Sequence, residues 1–399
     1  MSSNPGSTFP IDPTLGTPLE QSLQHIVDNS FPDSEHADQG DELAPSEKRS
    51  DAVHSHGADA RKWVASFFPS SETLDRLFAH EHMGNFVIDR QTGRKLFESM
   101  PIYVRVGMHL LFVEGSEYMA SKRVEKLLTD QSVKQGKVYD QTGATVRPHI
   151  EAFIKTYSLP LDELLVQDLN QYPTFNSFFA RRLVATARPI TAPTDLSVIT
   201  SPADCRIGVF QTLDEATSLW IKGKKFTVPN LLYGDDTADK RFEAVTSSGK
   251  ASVVVCRLAP QDYHRFHAPF DGEIVDIKDI TGELYTVNPQ AINEDLNVFT
   301  LNKRSVILVR ANLGPGREAT PVAFVAVGAM LVGSIGWSKK PGDKFLKGEE
   351  LGWFQYGGST TIVVLPEGVV KFDDDLAQTS KNKMETLVRV GMEIGKVVA

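Results

Sequence analysis

The sequence predicts an α+β protein, in which a helical N-terminal region packs on a β-rich C-terminal domain built from two similar hairpin lobes. Two observations lead to this prediction. Between residues 59 and 186, apolar residues recur at helical spacing. From residue 187 onward, glycine and proline punctuate short runs of β-branched residues. Helices followed by strands, without a regular strand–helix alternation, are typical of the α+β class.

The N-terminal part of the chain divides into a polar tail and a helical region. Residues 1–58 are rich in serine, proline, aspartate and glutamate and poor in aromatic residues, which predicts a disordered tail. Within the helical region 59–186, Ser70 or Ser71 is suited to cap a helix. The apolar run 102–113 is too short to span a bilayer, so it is either a core helix or a helix in the membrane interface.

The region 187–399 is predicted to be β-rich. Residues 253–255 and 322–327 are clear strand patterns, because they combine valine with other apolar residues and are bounded by turn residues. Residues 272–285 and 333–345 repeat one pattern: a strand, a loop, and a glycine turn that enters another strand. This repetition predicts two similar hairpin lobes that turn corners at glycines.

Composition and charge exclude several classes of protein. The chain has 399 residues, of which 41% are hydrophobic, as is usual for a globular protein. Its net charge of −9 disfavours a general nucleic-acid-binding role. The two cysteines lack metal or redox spacing, and the histidine pairs at 54–56 and 80–82 have no further ligand cluster. We therefore expect no metal site.

Targeting signals are not visible in the sequence pattern. The N-terminus lacks the basic and apolar segments of a secretory signal, and no apolar run has the length of a membrane span. We therefore expect an intracellular protein, either cytoplasmic or peripherally associated with a membrane.

A turn near the C-terminus is the strongest candidate for chemistry. Ser359 follows the pair Gly357–Gly358 and precedes a β-branched run, which by itself indicates a tight hairpin turn. A serine hydroxyl becomes an effective nucleophile only beside a base. His264 or His267 could supply that base, and Asp204 could orient the imidazole. The sequence alone leaves open whether these groups meet.

Five short motifs lie in order along the second half of the chain. They are Phe175–Phe179, Ser201–Asp204, Asp262–His267, Val327–Ile335 and Gly357–Thr360. In this order and approximate spacing, the chain from about residue 100 to the C-terminus resembles the phosphatidylserine decarboxylase family. The polar tail lies outside the resemblance.

The resemblance implies a proenzyme that makes its own cofactor. The positions that match the family's self-cleavage triad are Asp204, His267 and Ser359, and the cleavage site lies between Gly358 and Ser359. His267, oriented by Asp204, would take the Ser359 proton. The Ser359 oxygen would attack the Gly358 carbonyl, and β-elimination of the resulting ester would lead to a pyruvoyl group at Ser359.

The resemblance also implies the reaction and the partners. The small chain 359–399 would stay with the large chain 1–358. The pyruvoyl ketone would form a Schiff base with phosphatidylserine, lose CO2 and give phosphatidylethanolamine. His264 is the expected proton donor. The partners implied are a phospholipid and a membrane surface, approached by the helical region, and a homo-oligomer is compatible with the family. The β-rich domain would be the catalytic domain.

Three departures leave alternatives open. Cys205 stands where many family members have glycine, Gly357 gives a Gly-Gly-Ser-Thr variant of the usual Leu-Gly-Ser-Thr, and no membrane anchor is visible. A second hypothesis is therefore a soluble pyruvoyl-dependent decarboxylase of a free amino acid, for example an aromatic one. A remote third hypothesis is a non-catalytic, lipoyl-like carrier or binding module, because Lys344 lies in a glycine-bounded hairpin.

Overall fold

The computed structural model describes residues 84–99, 136–219, 227–234, 245, 250–282, 298–328, 334–356 and 359–398. These residues belong to one structural unit, which runs over 84–100 and 128–399. The predicted division between residues 186 and 187 falls inside this unit. The predicted tail and the apolar run 102–113 lie outside the described residues.

Strands predominate in the described part of the chain. The strands are β1 (Gly84–Asp89), β2 (Lys95–Ser99), β3 (Val198–Thr200), β4 (Cys205–Phe210), β5 (Ala251–Leu258), β6 (Arg265–His267), β7 (Asp271–Ile280), β8 (Arg304–Asn312), β9 (Thr320–Gly328), β10 (Ile335–Trp337), β11 (Lys344–Phe345), β12 (Glu350–Phe354), β13 (Ser359–Pro366), β14 (Val370–Phe372), β15 (Glu385–Val388) and β16 (Glu393–Val397). The helices are α1 (Val146–Tyr157), α2 (Phe175–Phe179), α3 (Leu213–Leu219), α4 (Val228–Tyr233), α5 (Val298–Leu301) and α6 (Asp374–Lys381). Short helical turns lie at 136–139 and at Leu169–Gln171.

Within the described residues, ten strands form one sheet in the order β11-β7-β8-β9-β13-β5-β4-β15-β1-β2. Every neighbouring pair in this sheet is antiparallel except β1 and β15, which run parallel. Two three-stranded sheets, β10-β12-β6 and β14-β16-β3, complete the strand pairing. An α+β, β-rich fold is therefore confirmed.

The strand that begins with Ser359 lies in the middle of the large sheet. Strand β13 pairs with β5 on one side, where Ser359 faces Leu258, and with β9 on the other, where Ser359 faces Gly328. Strands β5 and β9 contain the valine-rich segments at 253–255 and 322–327, so both strand predictions are confirmed. A central position hydrogen-bonds β13 along both edges, which holds its first residue in a fixed place.

One face of these central strands contributes to the main hydrophobic core. Side chains alternate between the two faces of a strand, so Ser359 shares a face with Val363 and Leu365. The core residues from these strands and from β12 include Val254, Cys256, Leu258, Phe324, Ala326, Leu351, Phe354, Val363 and Leu365. Each large aliphatic or aromatic side chain buried in this way contributes about 1.5–3 kcal/mol. The site described below therefore rests on strands that contribute to this hydrophobic core.

Residues 84–99 differ from the helical prediction, because they form the hairpin β1–β2. The turn begins at Asp89, whose carboxylate accepts hydrogen bonds from the Gln91 amide and the Thr92 hydroxyl. Gly93 completes it with a φ of 67°, a conformation that glycine adopts without strain. This turn chemistry was present in the sequence and overrides the helical spacing of the surrounding apolar residues.

The helices that precede β3 enclose an aromatic cluster. The short helix α2 begins with a capping box, in which Thr174 and Ser177 each satisfy the other's backbone amide. Phe175, Phe178 and Phe179 of α2 are all buried, and their rings pack around Phe153 of α1. Helix α2 is therefore fixed by both its cap and its aromatic side chains.

The predicted similarity of two hairpin lobes stays a prediction, because residues 283–297 and 329–333 lie outside the described residues. In the described parts, β7 and β11 pair with each other, with Gly272 opposite Phe345. None of the helices in the described residues has the length and apolar character needed to cross a membrane.

Candidate active site

The histidine motif is attached to the strand that leads into the glycine turn. Strand β6 pairs with β12, so that His267 lies opposite Glu350 and Arg265 opposite Trp353. The carbonyl oxygen of His264 accepts a hydrogen bond of 2.9 Å from the amide of Phe354. Only four residues separate Phe354 from Ser359. The backbone of the histidine motif is thus tied to the segment that precedes Ser359.

The Ser201–Asp204 motif is joined to the same strand. The amide of His267 donates a 2.7 Å hydrogen bond to the carbonyl oxygen of Pro202, two residues before Asp204. The Asp204 carboxylate itself is buried and accepts from three groups: Nε of Arg188 at 2.8 and 2.9 Å, Nη2 of Arg188 at 2.6 Å, and the amide of Val390 at 2.8 Å. The structure therefore places Asp204 beside the histidine strand, with Arg188 as its ionic partner.

The ring of His267 is held at both nitrogens. Nδ1 lies 2.8 Å from the carbonyl oxygen of Gly348, and Nε2 lies 3.1 Å from the hydroxyl of Tyr263. A carbonyl can only accept, so Nδ1 carries the proton and Nε2 keeps its lone pair toward Tyr263. Burial lowers the pKa of His267, although the bond to Gly348 and the charges of Glu350 and Asp204 act in the opposite direction. His267 is therefore a neutral imidazole with its basic nitrogen on the Tyr263 side.

His264 is completely buried and differs from His267 in one respect. Its Nδ1 donates to the carbonyl oxygen of Asp262 at 3.0 Å, whereas its Nε2 has no hydrogen-bond partner among the described residues. Its ring lies 3.9 Å from the ring of Phe179, measured between centroids. Burial lowers the pKa of His264 to about 3, and the charges of Arg181 and Arg206 add to this effect. His264 therefore offers an unoccupied acceptor nitrogen.

Ser359 is also completely buried, at the first position of β13. Its Oγ has no hydrogen-bond partner among the described residues. Buried hydroxyls normally have partners, and an exception calls for an explanation such as a reactive role. The structure thus brings the backbones of the three motifs together, but within the described residues no hydrogen bond joins Ser359 Oγ to a histidine. Gly357 and Gly358 lie outside the described residues, so only the Ser359 side of the predicted cleavage site between Gly358 and Ser359 is described.

The chain is similar in sequence to a known protein family. A sequence model described as phosphatidylserine decarboxylase matches residues 175–396. The chain belongs to the phosphatidylserine decarboxylase family. The match contains every described residue of the three motifs, and it runs from the first residue of α2 into β16.

Named relatives come from fungi, plants and bacteria. The chain is 42% identical over 310 residues to phosphatidylserine decarboxylase proenzyme 2 of Komagataella phaffii, and 40% identical over 314 residues to the protein of that name from Oryza sativa. Each alignment covers 77% of this chain, but only 29% and 48% of the respective relative. A phosphatidylserine decarboxylase proenzyme of Chlamydia pneumoniae is 32% identical over 311 residues, which is 96% of its length. The chain therefore spans less than half of the fungal and plant relatives named here.

Two residues of the site were not predicted from the sequence. Arg188, the ionic partner of Asp204, lies 16 residues before it, and no local pattern indicates that pairing. Tyr263 lies inside the histidine motif, but its bond to His267 depends on the turn of the chain between them. Burial raises the pKa of the Tyr263 hydroxyl, so this group is a hydrogen-bond donor at neutral pH.

A buried network of charges supports the loop that carries the histidines. Arg206 forms ion pairs with Asp262 and with Glu98 of the β1–β2 hairpin. Arg257 forms ion pairs with Glu98 at 3.1 Å and with Glu385 at 2.6 Å. The carboxylate of Asp262 also accepts from the Ala259 amide at 2.7 Å, which closes the loop before His264. The network fixes the carbonyl to which His264 Nδ1 donates.

We expect Arg257→Leu to lower the free energy of unfolding by about 3–5 kcal/mol, because it leaves the buried charge of Glu385 without its partner. Urea unfolding followed by circular dichroism measures this change. The double variant Arg257→Leu, Glu385→Leu removes both charges and should regain most of the loss. A single variant as stable as the unmodified chain would contradict the importance of the pair.

Proposed function

We propose that this protein is a phosphatidylserine decarboxylase proenzyme, which cleaves itself between Gly358 and Ser359 and then converts phosphatidylserine to phosphatidylethanolamine and CO2. The observation that carries this proposal is the buried hydroxyl of Ser359, which has no partner among the described residues and lies at the start of a central strand. The segment before it is bonded to the histidine motif through the Phe354 amide. The names of the relatives supply the substrate class.

A pyruvoyl group at residue 359 fits the residues present. In this group a ketone oxygen replaces the amino nitrogen on Cα, and Cβ becomes a methyl group once the hydroxyl oxygen has left, so the group needs a serine whose hydroxyl is not used to hold the fold together. Ser359 meets this condition, because its Oγ bonds to no other described residue. Such a ketone supplies an electrophilic carbonyl that takes up the electron pair released when a carboxylate leaves as CO2.

Self-cleavage uses the chain's own groups. Ser359 Oγ attacks the carbonyl carbon of Gly358 and the hydroxyl proton passes to His267 Nε2. The bond between the Gly358 carbonyl carbon and the Ser359 nitrogen then breaks, the proton passes from His267 to that nitrogen, and the amide becomes an ester with a free Ser359 amine. His267 is suited to this task, because its bond to Gly348 keeps the lone pair on Nε2. Asp204 favours the protonated form of His267 through its charge, while Arg188 and the Val390 amide hold its carboxylate in place.

His264 serves the later step. It is neutral before substrate binds, because burial and two arginines disfavour its cation. A substrate carboxylate near Nε2 reverses this balance, since an adjacent negative charge raises the pKa of an imidazole. His264 then holds a proton at Nε2 and delivers it to the carbon from which CO2 has departed. The bond from Nδ1 to Asp262 keeps Nε2 directed at the site.

The two chains produced by cleavage stay together. The small chain 359–399 contributes β13 to the middle of the large sheet, β15 to a position between β4 and β1, and β16 to a second sheet. Buried charges reinforce this association, since Glu385 of the small chain pairs with Arg257 of the large chain. The Asp204 carboxylate likewise accepts from Val390. Separation would expose all of these strand edges and charges at once.

Three kinds of substrate distinguish the lipid enzyme from the amino-acid enzyme in an assay of CO2 release. They are phosphatidylserine in vesicles, soluble phosphoserine and free amino acids. We expect the purified protein to release CO2 from the vesicles and not from free serine, tyrosine or tryptophan, because the relatives are named for the lipid. Release is measured with carboxyl-labelled substrates. Release from a free amino acid, with none from the vesicles, would move the assignment to the amino-acid decarboxylase. Release from phosphoserine as well would show that the acyl chains are not needed for recognition.

A further inference from the structure

The backbone just before the cleavage site is held by a side chain from a distant helix. The amide of Tyr356 donates a 3.0 Å hydrogen bond to Oδ1 of Asn176, on α2. Tyr356 lies two residues before Gly358, and Asn176 is 180 residues earlier in the chain. Both residues are buried. A buried hydrogen bond at this position fixes the backbone of Tyr356.

The orientation of the Asn176 side chain is fixed from its other end. Its Nδ2 donates a 2.8 Å hydrogen bond to Oδ1 of Asp140. A carboxylate can only accept and a backbone amide can only donate, so the two partners together allow one orientation of the carboxamide. Asp140 therefore keeps Oδ1 of Asn176 directed at the Tyr356 amide.

Aromatic packing also holds Tyr356 in place. The ring of Tyr356 lies 4.6 Å from the ring of Tyr139, 5.0 Å from that of Phe179 and 5.5 Å from that of Phe175. Phe179 also packs on His264. One short helix thus contacts both the segment before the cleavage site and the histidine. Ser359, on the far side of the two glycines, is fixed by its strand pairs.

We propose that Asn176 is a positioning residue for self-cleavage, which anchors the Tyr356 amide so that the Gly358 carbonyl is presented to Ser359 Oγ. The proposal rests on the proposed function, because it concerns the same cleavage. Tyr356 is held on one side of the cleavage segment and Ser359 on the other, so both residues that flank the two glycines have fixed positions. An attack on a carbonyl depends steeply on such placement, and a displacement of about 1 Å can cost 10²-fold in rate.

Asn176→Ala should slow self-cleavage by about 10- to 100-fold, because the Tyr356 amide loses its acceptor. The measurement follows newly synthesised chains from a cell-free translation, after translation is stopped, as the full-length band converts to the two products. Asp140→Ala should also slow conversion, since the carboxamide can then turn. Asp140→Asn keeps an acceptor for Nδ2 and should restore most of the rate. Asp140 is exposed, so these two variants test the proposal even if Asn176→Ala folds poorly.

Ser177→Ala is the matched control on the same helix. It removes the hydrogen bonds that the Ser177 hydroxyl makes with the backbone of Thr174 but leaves Asn176 and its partners in place. This variant should cleave at the unmodified rate, and thermal unfolding of each variant in a Ser359→Ala background reports on folding alone. Equal slowing by Ser177→Ala and Asn176→Ala would show that α2 acts only through stability and would overturn the proposal.

Hydroxylamine identifies the step that is slowed. It attacks an ester at Gly358, leaving a hydroxamate there and releasing the small chain with a serine amino terminus. If Asn176 positions the carbonyl for attack, hydroxylamine should not restore cleavage of Asn176→Ala, because the ester does not form. Rapid release by hydroxylamine would place the defect after the attack and overturn the proposal. An unmodified chain that stays whole would overturn the proposed function as well, whereas unimpaired cleavage of Asn176→Ala beside a cleaving unmodified chain would overturn this inference alone.

Discussion

Ser359→Ala should remain a single chain of 399 residues and release no CO2, whereas the unmodified chain should separate into 1–358 and 359–399. The substitution removes the oxygen that attacks Gly358 in the proposed mechanism, and the same oxygen must later leave by β-elimination before a ketone can form at Cα. Denaturing gels and intact-mass analysis measure the separation. The small chain of the unmodified protein should resist Edman degradation, because a ketone replaces its amino terminus.

The same substitution should leave the fold intact. Ser359 Oγ is buried without a partner among the described residues, so its removal breaks no hydrogen bond there. Removing an unsatisfied buried hydroxyl is usually neutral or stabilising. The melting temperature should therefore not fall, which separates loss of cleavage from loss of structure.

Thr361→Val provides the matched control for Ser359→Ala. Thr361 lies two residues further along β13, is completely buried, and also has a hydroxyl with no partner among the described residues. Valine keeps its shape, so this variant should cleave normally. An unmodified preparation that decarboxylates phosphatidylserine while remaining one intact chain would refute the self-cleavage mechanism.

The parts of the fold that the sequence predicted are those in which local pattern and burial agree. Strands β5 and β9 are rich in valine, and both lie in the centre of the sheet, where almost all of their side chains are buried. The hairpin at 84–99 was missed because its apolar residues also suit a helix, and the decisive turn depends on Asp89 and Gly93. Local turn chemistry decided the structure there.

The candidate site was predictable in its residue types and not in its contacts. The motifs identified Asp204, His264, His267 and Ser359, but pairing between distant segments decides which groups touch. Arg188 binds the Asp204 carboxylate, and Tyr263 occupies Nε2 of His267. These contacts arise when strands and loops pack, so no spacing in the sequence specifies them. Asn176 is a similar case, since its acceptor role depends on a segment 180 residues away.

His264→Gln should cleave itself but decarboxylate about 10²–10⁴-fold more slowly per cleaved chain, because the site loses its proton donor. His267→Gln should instead accumulate uncleaved chain, because Ser359 loses its base. Glutamine is used at both positions since it fills most of the imidazole volume and does not titrate. A gel and a CO2 assay on the same folded samples measure the two steps separately.

The variant Asp204→Asn should slow cleavage, as His267→Gln should, and the folding of the Asp204→Asn chain is checked separately. The Asp204 carboxylate is the buried partner of Arg188, so its loss leaves a guanidinium without its ion pair. Asparagine keeps an acceptor for the Val390 amide and limits this damage. Cleavage is therefore compared only among variants that melt near the temperature of the Ser359→Ala chain.

The geometry also gives a reason to test the reverse assignment, in which His264 is the base for cleavage and His267 the proton donor. His264 Nε2 and Ser359 Oγ are both buried without partners among the described residues, whereas His267 Nε2 already accepts from Tyr263. If His264→Gln blocked cleavage while His267→Gln cleaved normally, His264 would be the base and our assignment would be reversed.

The variant Tyr263→Phe shows whether Ser359 gives its proton to His267 directly or through the Tyr263 hydroxyl. This variant removes the hydroxyl that donates to Nε2 of His267. If Ser359 delivers its proton directly to His267, the variant should cleave at least as fast as the unmodified chain. Slower cleavage would show that the proton passes through the Tyr263 hydroxyl.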